Sequence, residues 1–489
     1  MQNVNVAIVG AGFGGLCAAI KLQEAGETSI ILLERSHEVG GTWRDNEYPG
    51  AACDVPSHMY SFSFEPNMAW TRPYPQQPEI QDYILRVTQK YDLRRHIQFG
   101  ASVTQMQWLA DQQVWQIDME GAQPILARHV ILATGPLNKP AIPNLPGLPD
   151  FAGPNFHSST WRHDVDLKGK RIAVVGTGAS AVQFVPEIAK QAVHVAVFQR
   201  TAAWVLPRWD KPYGALKRAA YRYIPGLQRL SRWRVYWFNE LVGTGFMGHT
   251  WMQNVLRRLS KHHLRDQVAS KTLRKVLTPD FNPGCKRLLI SNTWFPTLQL
   301  SHVQLITQAV AGITKDGVIG VDGTHYPCDV LIWGTGFKAT EFVTPIRVYG
   351  EADANGVAVE LGAQWRANPA ATRLGITTAG FPNFFMLVGP NTGLGHNSII
   401  FMIECQVNYV IQAMRHLTGS HKKSLQLRPD IQRADYALTQ RKMKTTVWSS
   451  GCHSWYQNAE GQIDTLWPGY TWEYWLQTRS FTATDYVLR

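Results

Sequence analysis

Apolar runs, glycine turns and helix-spaced apolar positions follow one another twice along the chain. Val4–Val9 is an apolar run that enters Gly10-Ala11-Gly12-Phe13-Gly14-Gly15, and helix spacing follows from about Leu16 to Ala25. A second run, Ser29–Leu33, ends at Glu34. The order returns at Arg171–Val175, with Gly176, Gly178 and Ala181 in the turn, a helix, and a run His194–Phe198 that ends in Gln199-Arg200-Thr201. Buried parallel strands read as continuous apolar runs, and the helix between them returns the chain to the same end of the sheet. Each unit therefore predicts a strand–turn–helix–strand dinucleotide site.

Further runs set the boundaries. Val130–Gly135, VILATG, closes the first unit, and Pro140, Pro143 and Pro146 mark an extended exit. Asp329–Phe337, DVLIWGTGF, closes the second, and Phe381–Pro390 returns to the first. The expected fold class is α/β with two Rossmann-like domains. Residues 1–140 form the first part of one domain, 141–170 a linker, 171–340 the second domain with an insertion at 208–275, and 341–489 the return to the first. In the insertion Leu227, Leu230, Trp233, Trp237 and Leu241 recur at spacings of three and four, so they share a helical face. The expected packing puts that face on the enzyme, over the active site, with the charges solvated.

Charge changes the picture only in that insertion. From Arg208 to Lys275 there are fifteen Lys/Arg against Asp210, Glu240 and Asp266, which equals the whole net charge of +12. A basic, tryptophan-bearing helix is also a candidate for peripheral contact with an anionic membrane. No recognised nucleic-acid-binding motif accompanies the charge, so nucleic acid is not expected. The chain of 489 residues has 45% hydrophobic and 17% charged residues, as globular proteins do. No apolar run approaches the ~20 residues of a membrane span, and no secretory signal is expected ahead of the first strand. Six cysteines without a C-x-x-C pair suggest no disulfide framework and a reducing, cytoplasmic setting. The missing pair also argues against a disulfide reductase. No metal site is expected. Oligomeric state is not readable.

The turns carry the first chemistry. Gly10, Gly12 and Gly15 fit G-x-G-x-x-G, which lets backbone approach a pyrophosphate at a helix N-terminus. Glu34 lies 24 residues after Gly10, where a carboxylate accepts from ribose hydroxyls and disfavours a 2′-phosphate. Gly176, Gly178 and Ala181 give G-x-G-x-x-A, and Arg200 lies 24 residues after Gly176. The acid has become a base, suited to a 2′-phosphate. Beside it, Thr201 joins the expected cofactor contacts. The first site is expected to take FAD and the second NADPH.

Two further patterns carry a family resemblance. Phe151, Gly153, His157 and Trp161 give F-x-G-x-x-x-H-x-x-x-W, with Arg162 where Pro or Asp would complete it. Gly40, Gly41, Trp43, Tyr48, Pro49, Gly50 and Asp54 fit [AG]-G-x-W-x-x-x-x-[FY]-P-[GM]-x-x-x-D. Both resemble signatures of Baeyer–Villiger monooxygenases, flavin reductase-like enzymes that use FAD, NADPH and O2 to insert oxygen beside a ketone. The resemblance implies that Asp54 holds Arg287 at the flavin, that Lys286 faces the NADPH phosphate, and that a peroxyflavin attacks the ketone to give an ester or lactone. It places Trp43 and Trp455 at the cofactors, the latter near the nicotinamide ribose, and gives His157 a part in coupling the domains. His396 is expected as a backbone hydrogen-bonder in its turn rather than an acid. Trp204, Trp294 and Phe295 are expected pocket residues on adjacency alone. Oxidation of sulfides or amines, or hydroxylation of long-chain hydrocarbons, are the alternative activities.

Overall fold

In the computed structural model, which describes residues 2–489 except 453, 455 and 459, the first apolar run becomes the strand Gln2–Val9. It lies between Ile125–Leu132 and Ile30–Glu34, parallel to both. Val6, Ala7 and Ile8 have no exposed surface. That explains their continuous apolarity: both faces of the strand are covered. The sheet extends through Ile97–Phe99 on one side. On the other it continues through Val114–Met119, Val103–Leu109, Arg347–Ala352 and Ala358–Glu360. Phe384–Met386 also pairs with Ile125–Leu132, so the late chain does return to this sheet.

The second sheet is all parallel, in the order Val303–Ile306, His194–Phe198, Arg171–Val175, Val330–Trp333, Asn155–His157. Its last strand contains His157. Three residues of the stretch expected as linker, Asn155–His157, thus form an edge of the second sheet. A Cβ on Gly153 would lie 2.2 Å from the Asp329 carbonyl oxygen, so glycine is what lets this edge strand approach.

The insertion is helical, with Ala215–Tyr223, Leu227–Phe246, Thr250–Gln267 and Lys271–Val276. The long helix sits the opposite way round from expectation. Leu230, Trp233, Trp237 and Leu241 are exposed, while Gln228, Asn239 and Glu240 are buried. The reason is polar docking. Arg232 donates to the carbonyls of His58 and Ser61, both at 2.9 Å, and Ser231 meets His58 Nδ1 at 2.7 Å. Glu240 accepts from Asn397 and from the Thr471 hydroxyl, both at 2.6 Å. Burial pushes the Glu240 carboxyl up, but the adjacent His396 and hydrogen bonds from Thr471 and Asn397 outweigh it and hold its pKa low. Polar groups can occupy an interface where they find partners, as Arg232 and Glu240 do here.

Among the described residues no helix is long and apolar enough to cross a membrane. One disulfide joins Cys285 to Cys452, with Cα atoms 6.2 Å apart, against the expectation of none. The two cysteines are 167 residues apart in sequence, a separation that carries no recognisable spacing signal.

Three buried histidines are held neutral. Burial lowers His58 to about 4, His129 to about 3 and His157 to about 4. An unfolded histidine titrates near ~6.5, so as the pH falls below neutrality the unfolded chain takes up protons first. This contribution to stability is full above that range and is lost towards pH ~4. Each histidine should cost about 2 kcal/mol at pH ~5 relative to pH ~7. The urea midpoint should therefore fall between those pH values, and His129→Gln should flatten the fall. An equal slope in that variant would contradict the assignment for His129.

Candidate active site

The two glycine turns have nearly the same backbone. Gly10 has φ +105° and Gly176 φ +106°. A Cβ on Gly10 would lie 2.7 Å from the Ala133 carbonyl oxygen, and one on Gly176 2.3 Å from that of Gly334. Each turn is therefore pressed against the small-residue turn that closes its own unit. The next glycines differ. A Cβ on Gly12 or Gly178 would meet its nearest atom only at 3.7 or 3.9 Å, and both residues line one cavity of about 1490 Å³. That open space, above helices beginning at Phe13 and Ala181, is where a pyrophosphate would sit against backbone N–H groups. The cavity exceeds the ~300–1,000 Å³ of single-ligand pockets. It reaches both turns, which suits two dinucleotides.

Glu34 is buried and lines this cavity. Its Oε2 accepts from the Ala11 N–H at 2.8 Å, and its Oε1 from the Ser36 N–H at 3.0 Å and from Arg44 at 3.0 Å. A carboxylate offers about four lone-pair positions, so Oε2 keeps one for a ribose hydroxyl. Arg44 neutralises the buried charge. It was not singled out in the sequence, because it occupies a variable position of the Gly40–Asp54 signature. Trp43 is buried at the cavity wall and donates its indole N–H to the Tyr60 hydroxyl at 2.8 Å.

Asp54 and Arg287 meet, although 233 residues separate them. Asp54 Oδ2 accepts from Arg287 Nε at 2.9 Å and from Nη2 at 2.5 Å. Both line the cavity, where Arg287 keeps 34% of its side chain exposed. Its pKa is raised above the ordinary arginine value, chiefly by Asp54. The buried Tyr456 hydroxyl stands beside them, and burial raises its pKa in turn. The disulfide at Cys285 and Cys452 ties the Arg287 segment to the segment that carries Tyr456.

Lys286 and Arg200 also line the cavity, as does Thr201. The Lys286 ammonium is pushed down by burial and then by the like charge of Arg200. Two cations that repel each other at one wall could be bridged by a multiply charged anion.

The signature residues have a second task, which sequence reasoning missed. Tyr48 donates to Gln183 Oε1 at 3.0 Å, the Ala52 N–H reaches the same atom at 3.3 Å, and Gln183 Nε2 donates to the Ala52 carbonyl at 3.0 Å. Gln183 lies on the helix Ala181–Ile188 of the second nucleotide unit. A single amide thus clasps the two units. Trp161 packs at the same junction, 5.4 Å from Phe184 and 5.2 Å from Phe156 between ring centroids. Phe151 is buried in the second unit's core. His157 lies against Phe337 of the closing turn, and its Nδ1 accepts from the Ser159 N–H at 3.1 Å. Arg162 pairs with Asp164 on the surface, so the departure at that position leaves Trp161 packed.

Other expected residues lie elsewhere. Trp204, Trp294 and Phe295 are core residues of the second unit, each 3% exposed or less, and do not line the cavity. Being apolar and sequence-adjacent to a turn does not decide which way a side chain faces. The His396 side chain is fully buried, with its Nε2 3.5 Å from Glu240 Oε1. Its neighbour is a carboxylate on the insertion rather than backbone. Trp455 lies outside the described residues.

The chain matches the family model described as flavin-binding monooxygenase-like over residues 3–342. It is 41% identical to a Baeyer–Villiger monooxygenase of Streptomyces coelicolor over all of this chain and 93% of that protein. Among solved structures it resembles an oxidized steroid monooxygenase bound to NADP, at TM-score 0.86 and 28% identity, covering 100% of this chain and 99% of that one. It also resembles cyclohexanone monooxygenase in a closed form, at TM-score 0.88 and 25% identity, with coverage of 100% and 99%. The chain belongs to the flavin-binding monooxygenase-like family and, within it, to the NADPH-dependent flavoproteins named Baeyer–Villiger monooxygenases.

Proposed function

We propose that the protein inserts one atom of O2 beside the carbonyl of a ketone, giving an ester or lactone, through Arg287 held by Asp54. The observation that carries this reading is the pairing of a permanent cation with a carboxylate inside the cavity that both glycine turns line. The balance is ketone, O2, NADPH and a proton going to ester, NADP+ and water.

Bound FAD supplies the electron transfer between the nicotinamide and O2. The chain's own residues do the rest. The turn at Gly10 and Gly12 receives the FAD pyrophosphate, and the remaining lone pair of Glu34 accepts from its ribose. The turn at Gly176 and Gly178 receives the pyrophosphate of NADPH. Arg200 and Lys286 grip its 2′-phosphate, with Thr201 beside them. The doubly charged phosphate relieves the repulsion between the two cations, which favours NADPH over NADH. Arg287 cannot lose its proton at working pH, so it offers constant positive charge where anionic oxygen develops. Asp54 fixes the plane of the guanidinium and leaves its other N–H groups for the reacting atoms. Leu394, Ile399 and Ile403 line the same cavity and offer apolar surface for the ketone's hydrocarbon.

Two outcomes test this. Arg287→Ala should keep FAD and oxidise NADPH, yet lose ester formation by about 10²–10³-fold or more, the scale of removing one fixed donor to a developing oxyanion. Unchanged ester yield by gas chromatography would remove Arg287 from the mechanism. Arg200→Glu should raise the KM for NADPH by on the order of tenfold or more while sparing NADH. Equal losses with both nucleotides would detach Arg200 from the 2′-phosphate.

A further inference from the structure

The outward face of the insertion is the least satisfied surface of the molecule. Among the described residues, 11 of the 23 exposed large apolar side chains fall between Trp209 and Val255. They are not scattered. Leu230, Trp233, Trp237 and Leu241 form one stripe on the long helix, with Trp233 and Trp237 in edge contact at 6.4 Å. The short helix Ala215–Tyr223 has no buried residue, and it ends in exposed Tyr223 and Ile224. On the other flank the Tyr236 hydroxyl of the long helix meets the Thr471 hydroxyl at 3.1 Å, and the helix that starts there exposes Trp472, Trp475 and Leu476. Exposed large apolar side chains grouped in this way mark an interaction surface.

Charge decides what covers it. Lys217, Arg218, Arg222, Arg229 and Arg234 are exposed around this ridge. The segment's acids hardly offset them. Asp210 is held by Arg72 and Arg208, and Glu240 is buried. Arg86, Arg218 and Arg222 also line a recess of about 610 Å³ beside Tyr223, large enough for a phosphate headgroup. A two-fold contact with a second copy would set these like charges against each other. An anionic lipid surface accepts both components: tryptophans settle at the headgroup boundary, and arginines reach its phosphates while their stems stay in apolar surroundings.

We propose that the outer face of residues 215–241 docks the enzyme on an anionic lipid membrane, with the Trp233–Trp237 ridge inserted and Arg218 and Arg222 on headgroup phosphates. The helix lies along the membrane and does not cross it. Its polar inner face is already bound to the enzyme through Arg232 and Glu240, so docking needs no refolding.

Co-sedimentation of the FAD-loaded, full-length protein with phosphatidylcholine vesicles, with and without phosphatidylglycerol, tests this. Binding should require phosphatidylglycerol and weaken with added salt. W233S/W237S and R218E/R222E should each reduce it by on the order of tenfold or more, with NADPH oxidation in vesicle-free buffer unchanged. Absence of binding to phosphatidylglycerol vesicles at low salt would overturn the proposal. So would full binding by W233S/W237S, which would leave only non-specific charge attraction. A change from dimer to monomer on sizing of W233S/W237S would assign the ridge to a second copy and also overturn it.

Discussion

The central constraint is the ion pair of Arg287 with Asp54, held at the wall of the cavity that both glycine turns line. Arg287 and Asp54 come from different nucleotide units, so their two hydrogen bonds form only when the units are in register. An exposed ion pair would contribute about 0–1 kcal/mol, whereas breaking a buried one costs about 3–5 kcal/mol. This pair lies between those limits, because Arg287 is partly open to the cavity. Cofactors that displace cavity water would move it towards the upper limit. The Gln183 clasp and the Tyr48–Phe184 contact set the register from one side. The Cys285–Cys452 link and Tyr456 set it from the other. The fingerprint at 151–161 therefore acts less as a tether than as a sheet edge and a packing block at the junction.

The second constraint is the docking of the insertion. Its long helix joins the two units through polar contacts, from Ser231 and Arg232 on the 57–61 segment to Glu240 on Asn397 and Thr471. A helix that spends its inner face on hydrogen bonds leaves its apolar stripe outside. The surface left over is aromatic and basic.

Local pattern made the nucleotide units legible. Strand, turn and helix followed from residues within 25 or so positions of one another, and the strands Arg171–Val175 and His194–Phe198 have the boundaries their apolar runs suggest. Asp54 and Arg287 were legible through resemblance to a family, not through spacing. Arg44 and Gln183 were hidden because their partners, Glu34 and Ala52, are joined to them by the fold. Trp204, Trp294 and Phe295 were misplaced because burial in a core and exposure to a pocket give the same apolar sequence. The amphipathic period of 227–241 correctly marked a helix, but period alone does not say which face turns inward. Polar partners on other segments decided that.

The most direct measurement is mass spectrometry of products made by the purified enzyme with NADPH under 18O2, over linear, cyclic and aryl ketones. Esters or lactones carrying one 18O atom each are expected, with the second atom in water. NADPH consumption with only hydrogen peroxide, or labelled sulfoxide from a sulfide and no labelled ester from any ketone, would contradict the proposed oxygen insertion.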